Sequence, residues 1–124
     1  MTTSTAYYAK ATIPDEGTDS NSFSYAVGTK TLAIHVPAMT GTGASVKIQA
    51  LRPKEQENDT DVWTDVSVFD LAAGTAHVAL DAILESTCVT VPVSACGPGP
   101  LRFVASESQT GGAVDIYVGF GMDG

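Results

Sequence analysis

The sequence predicts an all-β chain: a single antiparallel β-sandwich, of jelly-roll or immunoglobulin-like type, with about eight strands and little or no helix. Three observations predict this fold. Apolar and polar residues alternate with a period of two in many segments, Gly- and Pro-rich turns separate those segments, and 124 residues suit one domain. We expect residues 1–13 to form an N-terminal arm or an edge strand, and residues 14–124 to form the sandwich domain.

The predicted strands follow one another at short, regular spacing. They include the segments around Ile34, Ile48, Val66, Val78, Val91, Phe103 and Ile116. The turns between them fall at residues 14–17, 28–30, 41–43, 73–74, 97–100 and 111–112. Residues 81–85 have the length of one helical turn and fit a loop equally well. The alternation predicts a core of Ile34, Val36, Val46, Ile48, Val66, Val91, Phe103, Ile116 and Val118.

Residues 52–61, which read RPKEQENDTD, lack any apolar residue and stand apart from the alternating segments. We interpret them as a hairpin loop that extends into water between the strands around Ile48 and Val66. Four acidic side chains recur at every second position, which is compatible with calcium binding: Glu55, Glu57, Asp59 and Asp61. A solvated loop is the favoured interpretation, because the segment has no glycine where an EF-hand loop requires one.

The charge of the chain bears on its partners. A net charge of −8 without any Lys/Arg cluster disfavours binding to nucleic acid and to anionic membrane surfaces. No run of about 20 apolar residues is present to cross a bilayer. Residues 1–14 lack the basic start and apolar run of a secretory signal, so we expect the chain to be made and folded in a cytoplasm.

The sequence offers no positive sign of an enzyme, a cofactor site or a metal site. It has no nucleophile elbow, Walker loop or dinucleotide-binding glycine motif. His35 and His77 lie on the polar phase of their strands and are predicted to be surface residues. Cys88 and Cys96 are predicted to be buried and reduced, with a disulfide as the alternative. An enzyme is therefore the most distant of the functions considered.

The order of strands and several short motifs resemble a known family. The motifs are TLAIHVPA at residues 31–38, VKIQAL at 46–51, VWTDV at 62–66 and PLRFVAS at 100–106. Over about residues 22–120 the chain resembles the small β-sandwich virion proteins of tailed bacteriophages. These include capsid decoration (cement) proteins and head-to-tail accessory proteins.

The resemblance implies a structural virion protein, most simply a decoration protein that binds and stabilises the assembled capsid. Its expected partners are the major capsid protein and other copies of itself, as a homotrimer on the capsid surface, assembled in the host cytoplasm. We predict that Thr5, Tyr7 and Tyr8 in the arm bind the partner. The alternative is a carbohydrate-binding sandwich module used for attachment, in which Trp63, Tyr7 and Tyr8 would stack on sugars. Packing at the rim of the core is the favoured interpretation of Trp63.

Overall fold

A computed structural model describes residues 8–41, 44–70, 75–79, 83–97 and 99–122. Within them the chain forms antiparallel β-strands and a single 3-10 turn, Val93–Ala95, which confirms the predicted all-β, sandwich-like class. The strands are β1 (Tyr8–Ile13), β2 (Thr31–Val36), β3 (Ser45–Leu51), β4 (Trp63–Asp65), β5 (Ser67–Asp70), β6 (Thr75–Ala79), β7 (Ile83–Leu84), β8 (Thr87–Pro92), β9 (Leu101–Ala105) and β10 (Val114–Gly121).

Sheet 1 contains four strands in the order β1-β10-β2-β8. Its centre is β10, the longest strand, which pairs with β1 on one side and with β2 on the other. β1 is an edge strand of this sheet and pairs with β10 over residues 8–13. Residues 8–13 have a partner strand in their own chain, because Ala11 and Ile13 supply apolar side chains to the core.

Sheet 2 is built around β3. Strand β3 pairs with β9 along one side, and with β4 and then β7 along the other. Residues 19–23 run beside the free side of β9 through bridges from Asp19 to Val104 and from Phe23 to Leu101. A separate pair, β5–β6, completes the described strands. The bridging segment at 19–23 has no alternating pattern, so the sequence did not indicate it.

The core lies between the inner faces of the two main sheets. All nine residues predicted to be buried are at most 5% exposed, which confirms the predicted core. Eight of them lie in strands, and Val66 lies between β4 and β5. Further buried apolar residues come from β1, from the start of β2 and from β9: Ala11, Ile13, Leu32, Leu101 and Ala105. Phe103 is at the centre, with its ring 5.5 Å from that of Phe23, centroid to centroid.

One local expectation was wrong, and another had been left open between a helical turn and a loop. Residues 83 and 84 form strand β7 against β3, and residues 85 and 86 form a turn, so the described part of 81–85 is not helical. Cys88 is exposed, whereas Cys96 is buried as expected, and both thiols are free. The reason is that Cys88 lies on the same phase of β8 as Thr90, opposite to the phase of buried Val91.

Candidate binding surfaces

Over the described residues, the outer edge of β1 is open along its first half. At Thr12 the backbone faces away from β10: its N–H donates to Asn21 Oδ1 at 2.7 Å, and its carbonyl accepts from the Asn21 N–H at 3.4 Å. Backbone groups alternate sides along an antiparallel strand, so those of Tyr8 and Lys10 also face outward. Among the described residues no strand pairs with β1 on that side. The edge is therefore closed at Thr12 and open at Tyr8 and Lys10.

The opposite edge of sheet 1 is β8, and it is less suited to strand pairing. The Val93 N–H donates to the Lys30 carbonyl across the β2–β8 ladder at 2.9 Å. Because backbone N–H and C=O groups alternate sides along the strand, those of Thr90 and Pro92 face away from β2. Proline has no N–H to donate, and it is a common means of protecting an edge strand. The open part of β1 is thus the better site for strand addition.

The outer face of sheet 1 is nearly uncharged. Its side chains come from alternate positions of four strands: Tyr8, Lys10, Thr12, Thr31, Ala33, His35, Cys88, Thr90, Pro92, Asp115, Tyr117, Gly119 and Gly121. Tyr8 and Tyr117 are 61% and 45% exposed, and their ring centroids are 6.3 Å apart. One lysine and one aspartate give this face no net charge, on a chain of net charge −8.

The outer face of sheet 2 carries a ladder of polar side chains that crosses three strands. Gln49 on β3 donates to Asp65 on β4 at 2.9 Å, and it accepts from Arg102 Nε on β9 at 2.9 Å. The ladder extends to Asp19, whose Oδ2 lies 3.5 Å from Arg102 Nη1 in an ion pair. Lys47 lies 3.3 Å from Asp65. The hydrogen bond from Gln49 is the main cause that lowers the pKa of the Asp65 carboxyl; desolvation opposes it, and Lys47 lowers the pKa further.

Trp63 lies beside this ladder at the start of β4. The Arg102 guanidinium is 4.5 Å from the centroid of the indole ring, in a cation–π contact. The side chain is half-buried on the outer face of sheet 2 and is not among the residues that pack against the core, so the expected packing at the rim of the core was wrong. One ring face is therefore occupied by Arg102. The sequence missed this cluster because residues 49 and 102 are neighbours only through the pairing of β3 with β9.

Of the three predicted partner-binding residues, Thr5 and Tyr7 lie outside the described part of the chain. Tyr8 is the first residue of β1, at the open edge, and it contacts Tyr117. The structure does not bring Tyr8 together with Trp63, since the two lie on the outer faces of different sheets.

Residues 52–62 form an exposed loop between the paired strands β3 and β4, as predicted for the acidic segment. Lys54 and Asp61 form an ion pair across the loop, and Asp59 accepts a hydrogen bond from the Gln56 N–H at 3.1 Å. Over the described residues, no group of three or more His, Cys, Asp or Glu side chains is arranged to hold a metal ion. The alternating acidic residues of the loop therefore do not converge on a common point.

Replacing Glu55, Glu57, Asp59 and Asp61 together by serine should leave oligomerisation and partner binding nearly unchanged. The loop is solvated, its desolvation in an interface would be costly, and exposed ion pairs contribute only about 0–1 kcal/mol each. Light scattering compares the oligomeric mass of the quadruple variant with that of the wild type. Co-sedimentation with empty capsid shells compares their binding to the expected partner. Loss of binding would instead indicate a cation or a basic partner at the loop.

The described chain contains no helix with the length and apolar character required to cross a bilayer. Comparison with protein-family models, with curated proteins and with solved structures finds no match.

Proposed function

We propose that the chain is a structural virion protein of a tailed bacteriophage that decorates the assembled capsid and does no chemistry of its own. The open edge of β1 is the observation that carries this proposal. Tyr8 and Lys10 present backbone donors and acceptors outward at the end of the strand where the arm, with Thr5 and Tyr7, joins in sequence. Such an edge accepts an added strand from a capsid subunit or from a neighbouring copy.

Strand addition suits a protein with this charge. Main-chain hydrogen bonds supply the affinity, so no opposite charge is needed on the partner. Tyr8 and Tyr117 lie on the face adjoining the open edge and offer apolar contact area with polar tips, which is typical of residues at protein interfaces. The acidic loop at the end of the β3–β4 hairpin belongs to the other sheet and remains in water.

Binding to the assembled capsid explains how a protein that catalyses no reaction can stabilise the shell. A ligand that binds only the assembled lattice shifts the equilibrium towards assembly by mass action. We place a homotrimer at three-fold positions of the capsid, where neighbouring subunits can be bridged. Copies of the chain and the major capsid protein are then its two partners.

A co-sedimentation experiment tests this function. The major capsid protein encoded nearest to the gene for this chain is assembled into empty shells and mixed with the purified chain. We expect the chain to pellet with the shells in a saturable manner and to stay in the supernatant with unassembled subunits. Failure to pellet with the shells, or absence of any capsid gene in the same replicon, would contradict the proposal.

Carbohydrate binding is a second candidate, because Trp63 lies beside the polar groups of Gln49 and Arg102. A sugar could stack on the indole face that Arg102 does not cover and bond to Gln49. A glycan-dependent change in the fluorescence of Trp63, the sole tryptophan, would support this function. A chain that binds shells but shows no such change would exclude it.

A further inference from the structure

His35 and Cys88 form an exposed pair on the outer face of sheet 1 that the capsid proposal does not use. They are directly opposite each other on β2 and β8, and Cys88 Sγ is 3.6 Å from His35 Nε2. Both side chains are open to solvent. The pair therefore presents a sulfur and a nitrogen ligand side by side, on strands whose pairing fixes their separation.

The separation matches that of two ligands on one tetrahedral metal ion. Bonds of about 2.3 Å to sulfur and about 2.0–2.1 Å to nitrogen, meeting at the tetrahedral angle, place the two ligand atoms about 3.5–3.6 Å apart. Chelation then needs little movement of either strand. Thiolate and imidazole are the ligands that zinc prefers, and the thiol would give its proton to solvent as the sulfur–metal bond forms.

A tetrahedral ion needs two more ligands, and the described part of this chain does not supply them, since no third metal-ligating side chain joins the pair. We propose that His35 and Cys88 are half of a Cys2His2 site for a zinc-like divalent ion, completed by the same two residues of a second copy. The charge of the surface favours a second copy as the partner. Two chains of net charge −8 repel, but the outer face of sheet 1 has no net charge and can approach its own copy.

The surroundings of the pair also permit close approach. Ala33 and Thr90, which pair across the same two strands, have short side chains, and Gly119 on β10 has none. Tyr117, which pairs with His35 on β10 and is 45% exposed, borders the pair on the side away from β8. A two-fold axis that runs parallel to the face and passes over Cys88 would bring both half-sites together. The site needs only two copies of this chain and the metal ion, so the inference does not rest on the virion assignment.

Titration of the full-length, metal-free protein with Co²⁺ tests the site, because cobalt replaces zinc and reports thiolate ligation by a sulfur-to-metal charge-transfer band. We expect the band to saturate at one Co²⁺ per two chains. With Zn²⁺ the mass by light scattering should double relative to the protein in EDTA. Cys88→Ser and His35→Gln should each abolish both effects. Both substitutions are at exposed positions, and far-UV circular dichroism verifies that the fold is retained.

Cys96→Ala is the matched control. Burial raises the pKa of the Cys96 thiol to about 11, and this residue is only 3% exposed, so its removal should leave the cobalt band and the change in mass intact. Absence of a charge-transfer band in the wild type would overturn the inference. So would a band that survives in Cys88→Ser, or saturation at one ion per chain without an increase in mass.

Discussion

Replacing Phe103 by alanine should lower the free energy of unfolding by about 3–5 kcal/mol, the largest effect of any single substitution considered. The side chain is fully buried on β9, stacked on Phe23 and opposite Ile48 on β3. Its loss removes contacts with both and leaves a cavity between two sheets whose strand pairing resists collapse into it. Chemical denaturation at equilibrium measures the change.

Val27→Ala is the matched control for that measurement. Val27 is a large apolar residue with a fully exposed side chain, so its truncation should change the free energy of unfolding by no more than about 0.5 kcal/mol. If Phe103→Ala destabilised the protein as little as Val27→Ala, the core would not lie between the inner faces of the two main sheets.

Replacing Lys10 by proline should weaken binding to capsid shells by at least about tenfold, which corresponds to about 1.4 kcal/mol. The N–H of Lys10 faces the open edge of β1, so proline deletes a donor that an added strand would use and places its ring there. The hydrogen bonds of Ala9 and Ala11 to β10 are on the other side of the strand and remain. Co-sedimentation at increasing shell concentration measures the affinity.

Lys10→Thr separates the backbone donor from the side-chain charge. Threonine removes the lysine charge, keeps the N–H and is well suited to a strand, so its affinity should stay near that of the wild type. Thermal unfolding of both variants verifies that the fold is intact. Equal weakening by threonine and proline would show that the lysine side chain, and not the edge, makes the contact.

The main sheets were predictable because each strand carries its own local signal. Ile34, Ile48 and Ile116 are buried as their alternation indicated, and the loop at residues 52–61 is exposed as its composition indicated. Cys88 was predicted to be buried but is exposed. The strand alternation itself had indicated the exposed position, because Cys88 lies on the opposite phase to buried Val91. The general tendency of free cysteine to be buried was given more weight than the phase of the strand.

The remaining features depend on pairing between distant parts of the chain. Gln109 is fully buried, although its neighbours are polar and glycine residues typical of a loop. Its side chain bonds to both backbone groups of Thr40 and to the carbonyl of Glu107, so every polar atom has a partner. Similarly, the open edge at Lys10 is defined only by the contact of Asn21 with Thr12. No periodicity in the sequence encodes such contacts.

Hydrogen exchange at the backbone amides of β1 tests the central claim most directly. In the free chain the Lys10 amide should exchange rapidly, while the Thr12 amide, bonded to Asn21, should be protected. On shells assembled from the neighbouring capsid protein, the Lys10 amide should slow by at least about tenfold, since an added strand would bond to it. Saturable binding that leaves the exchange of Lys10 unchanged would contradict the assignment of this edge as the capsid-binding site.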